Sequence, residues 1–198
     1  VIYMKVLIIN KKRFGVTMII IGLMLILFGL EKNFDSRLKI AALIHNNVSS
    51  FKEYNILNGK ISYKLPSNWE INEEIINGED IIYSNSFMDK KNNMQGFIQL
   101  WNYKGDLKTF IKHSKEVSEK QQIDYTKYSL VPIDINNIKG YLAQYSILKE
   151  NEEYVAYEYF LKLEERFIRV SFFVPEKYHQ ESIETVFNTI LKNIVYKH

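Results

Sequence analysis

Residues 154–174 read YVAYEYFLKLEERFIRVSFFV, and this stretch decides the fold. Two runs rich in aromatic and β-branched residues, 154–163 and 167–174, flank Glu164-Glu165. Such runs favour strands, and the short polar break between them predicts an antiparallel hairpin. Working back along the chain, residues 140–148 and 128–133 have the same character. Glu150-Asn151-Glu152 marks the turn after 140–148, and Asn136-Asn137 with Gly140 divides 140–148 from 128–133. Consecutive strands on short turns make an antiparallel meander from 128 to 174, which Pro175 closes.

Two helices flank the meander. Ile183, Val186, Phe187, Ile190, Leu191 and Ile194 step at i, i+3, i+4, i+7, i+8 and i+11, which predicts a single-faced helix over residues 178–196. Upstream, Asp106 is placed to cap a helix ending near Gln121, with Leu107, Phe110, Ile111, Ser114 and Val117 on one face. Before it, residues 80–87 and 96–102 read as strands joined by a polar turn. Asn58-Gly59 is a hairpin signal between Ile56-Leu57 and a strand in which Ile61, Tyr63 and Leu65 alternate. Pro66 stops that strand, and Trp69 plugs the end of the sheet. The expected architecture is α+β: one antiparallel sheet covered by two helices.

The order of these elements, with Tyr63-Lys64-Leu65-Pro66-Ser67-Asn68-Trp69, Gly105-Asp106-Leu107, Gly140-Tyr141 and the terminal helix after Pro175, resembles the Mog1/PsbP-like family over residues 55–197. The likeness extends to membrane-anchored bacterial PsbP-related proteins. The resemblance implies an α/β/α sandwich and a non-enzymatic accessory or binding domain that docks on a larger assembly. Known members include an extrinsic photosystem subunit and a binder of a small nuclear GTPase. No ligand or partner motif of either kind transfers to these residues.

Residues 14–30, FGVTMIIIGLMLILFGL, carry no charge. At about 1.5 Å per helical residue they reach about 26 Å, near the lower limit for a bilayer core. Phe14, Gly15, Ile19, Gly22, Leu25, Phe28, Gly29 and Leu30 are the expected membrane anchor. Lys11, Lys12 and Arg13 precede it and favour the cytoplasmic side. The run exceeds a signal-peptide core of about 7–15 residues and lacks an A-x-A-like end, so an uncleaved anchor is expected. Gly15, Gly22 and Gly29 recur at intervals of seven, which suggests a homodimer through the anchor helix. The expected organisation is a cytoplasmic segment 1–13, the anchor 14–30, a juxtamembrane stalk 31–54 and an extracytoplasmic α+β domain 55–198.

Charge supports this division. Four of the 26 basic residues lie in 1–13, leaving 22 against 23 acidic residues in the remainder. The basic excess thus belongs to the membrane flank, and the composition gives no argument for nucleic-acid binding. With no cysteine, disulfides, thiolate chemistry and attachment through an N-terminal lipidated cysteine are excluded.

No catalytic, metal or cofactor signature is present. His45, His113, His179 and His198 lack the pair spacing of a helical metal site. Glu152-Glu153 and Glu164-Glu165 sit in turns, where adjacent residues diverge. The aromatic residues offer one binding hypothesis: Tyr141 and Tyr145 share one strand face, and Tyr157 and Tyr159 share a face of the next strand. An uncovered aromatic face would dock a protein or a glycan. In a full sandwich both faces are covered. The expected function is a single-pass, cell-membrane, non-catalytic binding or accessory protein that docks on an envelope protein assembly without a cofactor. The alternative is an enzyme or glycan-binding module acting on cell-envelope material.

Overall fold

A computed structural model describes residues 11–74, 80–121 and 123–197, apart from the side chains of 11–15, 27–34 and 74. The chain divides into two compact units, one ending at Ala41 and the other running Ala42–His198. The first unit is the greater part of one helix, α1 (Lys11–His45). Its apolar side chains between Val16 and Ile26 are open to solvent, with Leu25 68% and Ile19 64% exposed. Among the described residues no helix is long and apolar enough to cross a membrane. The expected anchor falls partly outside them: the side chains of Phe14, Gly15, Phe28, Gly29 and Leu30, and of the flanking Lys11, Lys12 and Arg13, are not described.

The second unit contains β1 (Phe51–Ile56), β2 (Ile61–Pro66), β3 (Glu70–Glu74), β4 (Ile81–Asp89), β5 (Met94–Asn102), α2 (Leu107–Lys120), β6 (Tyr125–Ile135), β7 (Ile138–Lys149), β8 (Glu152–Lys162), β9 (Arg166–Pro175), a 3-10 turn (Glu176–Tyr178), α3 (Glu181–Lys192) and β10 (Val195–Tyr196). The hairpin at 154–174 is formed by β8 and β9 and lies centrally in a seven-stranded sheet of order β3-β4-β5-β9-β8-β7-β6. Each pairing is antiparallel. The turns follow the asparagines. Asn136-Asn137 and Glu150-Asn151 close two-residue loops with positive φ at both positions, the backbone that a twisted hairpin requires.

Four sequence expectations change. There are two sheets, because β1, β2 and β10 form a separate three-stranded sheet. The terminal helix stops at Lys192: Asn136 Nδ2 donates to the carbonyls of Lys192 and Ile194, and the freed chain pairs along β2 as β10. Residues 31–54 are not a separate stalk, since α1 continues through His45 and β1 begins at Phe51, with Tyr54 stacked on Tyr63. The folded unit therefore starts at Ala42, upstream of 55. Finally, β3 occupies a polar stretch in which no strand is expected; it pairs along β4 from Glu70↔Met88 to Glu74↔Ser84.

One face of the large sheet, α3 and the inner face of the small sheet share a single core. Phe172 of β9 stacks on Phe187 of α3 at 3.9 Å. The opposite face carries a second core beneath α2, built on Leu107, Ile111, Ala143, Ala156, Phe160 and Phe167.

Candidate functional site

Side chains alternate along a strand, so each strand of the large sheet contributes to both faces. On the α2 face, Asp106 caps the helix, accepting from Thr109 N at 2.8 Å and Thr109 Oγ1 at 2.7 Å. These bonds hold the Asp106 carboxyl below its ordinary range. From that cap α2 crosses the sheet obliquely. Phe110 packs on Trp101 and Phe167, and further along the helix the Lys115 ammonium lies over the rings of Tyr125 and Tyr128. A helix of 14 residues spans about 21 Å, whereas seven strands at about 4.8 Å spacing span about 29 Å. Part of this face stays uncovered.

The uncovered part is a trough of about 610 Å³. It crosses β3, β4, β5, β9, β8 and β7, and its apolar lining includes Met88, Phe97, Phe173, Ile147 and Tyr154. All five are half-buried. Glu70, Asn72, Ser86, Gln95 and Lys149 supply the polar rim. The register sets the row directly: Glu70 faces Met88, Met88 faces Gln95, and Gln95 faces Phe173.

Beside Phe97 the sheet holds a buried ion pair. Arg169 Nη2 donates to both oxygens of Glu158, at 2.7 and 2.9 Å, and the guanidinium lies between the rings of Phe97 and Phe160. Arg169 Nε and the fully buried Ser171 Oγ make no hydrogen bond among the described residues. Burial, followed by the charge of Glu158, pushes the Tyr145 hydroxyl well above its ordinary range. A buried pair of this kind adds little net stability, but its geometry fixes how Phe97 is presented.

A second polar cluster lies on the α3 side. Tyr157 Oη donates to Glu184 Oε1 at 2.6 Å, which leaves its oxygen to accept from His179 Nε2 at 2.7 Å. The three side chains pin the start of α3 to β8, and burial raises the Tyr157 hydroxyl. Among the described residues no group of three His, Cys, Asp or Glu side chains could hold a metal ion.

The tyrosines proposed as a docking surface are placed otherwise. Tyr157 and Tyr159 are buried in the α3-side core, Tyr145 is buried beneath α2, and Tyr141 is half-buried beside it. They lie on opposite faces, because Tyr145 pairs in register with Ala156 whereas Tyr157 pairs with Gln144. Tyr145, Tyr157 and Tyr159 are thus covered, Tyr141 lines a separate cavity with Asp106, Pro132 and Lys162, and Phe97, Phe173 and Tyr154 are half-buried aromatic residues outside the proposed surface. No local sequence signal marks them, because their exposure depends on which part of the sheet α2 covers.

No family model and no curated protein matches the chain. Among solved structures, cyanobacterial PsbP (CyanoP) from Synechocystis sp. PCC 6803 matches with a TM-score of 0.56 at 12% identity, over 75% of this chain and 94% of CyanoP. The fold is PsbP-like. PA94 of Pseudomonas aeruginosa, a protein of unknown function, matches at 0.47 and 13% identity over 76% of this chain and 99% of its own. A protein from Bacteroides thetaiotaomicron VPI-5482 matches at 0.46 and 16% identity, over 74% and 48%. The resemblance read from Tyr63–Trp69 and the order of elements is thus borne out as a PsbP-like fold. Within that PsbP-like fold, the trough presents three half-buried aromatic residues, Phe97, Phe173 and Tyr154, in one concave site.

Proposed function

We propose that this protein is a single-pass, membrane-anchored, non-catalytic binding protein. Its C-terminal domain stands outside the cytoplasm and docks on an envelope protein through the trough. The observation that carries the reading is the trough itself: half-buried apolar side chains, rimmed by a few polar groups, on a sheet face that its own helix leaves open. A volume of about 610 Å³ falls within the roughly 300–1,000 Å³ of ordinary binding sites. Anchoring is supported by the uncharged run 14–30 and by the solvent-open apolar side chains from Val16 to Ile26. Lys11, Lys12 and Arg13 support the cytoplasmic placement of the N-terminal flank.

Two measurements test the proposal. A photo-crosslinking amino acid at Gln95, an exposed position in the trough, should capture an envelope protein in intact cells. External protease should digest the domain without lysis. Digestion only after lysis overturns the topology, and crosslinks no stronger than at Lys112, an exposed position on α2, overturn docking through the trough.

A further inference from the structure

We infer that the partner segment entering the trough is an acidic amphipathic helix; this rests on the docking reading above. The trough crosses six adjacent strands, about 24 Å at roughly 4.8 Å per strand, which is the length of a helix of about 16 residues. Its floor is the face of the sheet, where every strand already has hydrogen-bonded neighbours on both sides or is the edge strand β3. An extended segment laid flat on that face would find no backbone partners and would bury unpaired N–H and C=O groups. A helix satisfies its own backbone and presents an apolar stripe. Met88, Phe97, Phe173 and Ile147 form the complementary row. The face already accepts one helix crossing its strands, since α2 lies over its other part.

The sign of the charge follows from the rim. Glu70 is neutralised by its ion pair with Lys90. Lys149 faces Glu152 across the β7–β8 pairing, but Glu152 gives its carboxylate to Lys177 and Tyr154. Lys149 is left exposed at one end of the trough with no ion pair among the described residues. Glu150 in the adjoining turn is the nearest other acid in sequence, but it forms no ion pair with Lys149 among the described residues and does not line the trough. The rim therefore presents one unpaired cation to whatever lies on the apolar row. An acid on the polar flank of the bound helix is its complement.

The test uses the full chain in zwitterionic nanodiscs and three designed sixteen-residue peptides labelled with a fluorophore. Two carry leucine at i, i+3, i+4 and i+7, one flanked by glutamate and the other by lysine; the third has the glutamate composition with its leucines scrambled. The glutamate peptide should bind at least tenfold tighter than either of the others. Lys149→Glu should reverse the preference between the two amphipathic peptides, and Phe97→Ser should weaken both. Equal binding of all three, or a preference unmoved by Lys149→Glu, overturns the inference. So does binding of dodecanoate in the trough when no peptide binds. If Gln95 crosslinks an envelope protein while the peptides show no selectivity, docking stands and the acidic helix falls; if neither occurs, both fall.

Discussion

At the scale of single residues, close approach and burial set the constraints. Gly140 lies where β7 passes β8, and a Cβ there would sit 1.9 Å from the Phe160 carbonyl oxygen. That contact is with backbone, so neither strand can yield without breaking the register Gly140↔Leu161. Gly140→Ala should lower the unfolding free energy by about 3 kcal/mol, read from the midpoint of urea denaturation; a loss below that of an ordinary surface substitution would contradict the close approach. Buried hydroxyls give a pH dependence. Tyr63 and Tyr83 share a 2.6 Å hydrogen bond, Asn85 donates to Tyr63, and Tyr83 donates to Glu73. Burial above all pushes Tyr83 up to about 12 and Tyr63 higher still. A tyrosine in the unfolded chain ionises near pH 10. Because the folded values are raised, the contribution to stability is complete below about pH 10 and is lost as pH rises through 10 toward 12 and beyond. Urea midpoints should fall between pH 9 and pH 11.5, and Tyr63→Phe should flatten part of that fall. A midpoint constant across the interval would show that these hydroxyls titrate alike in both states.

At the scale of elements, the two helices do different amounts of work on the sheet. α3 buries Ile183, Val186, Phe187, Ile190 and Leu191, and Phe187 stacks on Phe172 and packs against Tyr157. α2 buries only Leu107 and Ile111, and its Val117 is 39% exposed. Phe187→Ala should therefore cost about 3–5 kcal/mol, through lost burial and the cavity left behind. Val117→Ala should stay within roughly 0.5 kcal/mol. Comparing their denaturation midpoints checks both; similar losses would mean that α2 is held far more firmly than its contacts indicate. The same contrast explains why the trough exists. Asp106 fixes where α2 begins, its bonds to Thr109 hold the first turn, and the helix runs from Trp101 of β5 toward Tyr125 and Tyr128 of β6, away from β3 and β4.

At the scale of the molecule, the chain is two units with separate requirements. Residues Ala42–His198 contain both cores and every strand among the described residues, so this piece should fold cooperatively by itself. A single coincident transition by far-ultraviolet dichroism and tryptophan fluorescence checks this, because Trp69 and Trp101 report on opposite faces of the sheet. Two separated transitions would mean that the faces unfold independently. The full chain should sediment with membranes, and the same chain lacking residues 1–30 should not. Recovery of both in the soluble fraction would remove the anchor from the proposed function.

How much could be read in advance differs by feature. The β8–β9 hairpin, the meander and the buried stripe of α3 were legible because each depends on local periodicity and on turn chemistry at Asn136-Asn137 and Glu164-Glu165. β3 was not legible: Glu70–Glu74 has no apolar alternation, and only pairing with β4 makes it a strand. The placement of Tyr145 and Tyr157 on opposite, covered faces was half legible, since alternation gives a side but not what lies against it. Phe97 and Phe173 looked like any other strand aromatics. Their exposure depends on which part of the sheet α2 lies over, which is set by contacts far away in sequence.

By itself, the sequence determined the α+β class, the antiparallel order of the 128–174 meander, the two amphipathic helices and the uncharged run of residues 14–30. Each is a property of neighbours within a few positions, fixed by side-chain period and backbone preference. Only the tertiary structure decided that the small sheet is separate, that Tyr145, Tyr157 and Tyr159 are covered, and that the trough over β3–β5 and β7–β9 is open. Those outcomes depend on which distant surfaces meet, and no local pattern encodes the length of one element against the width of another.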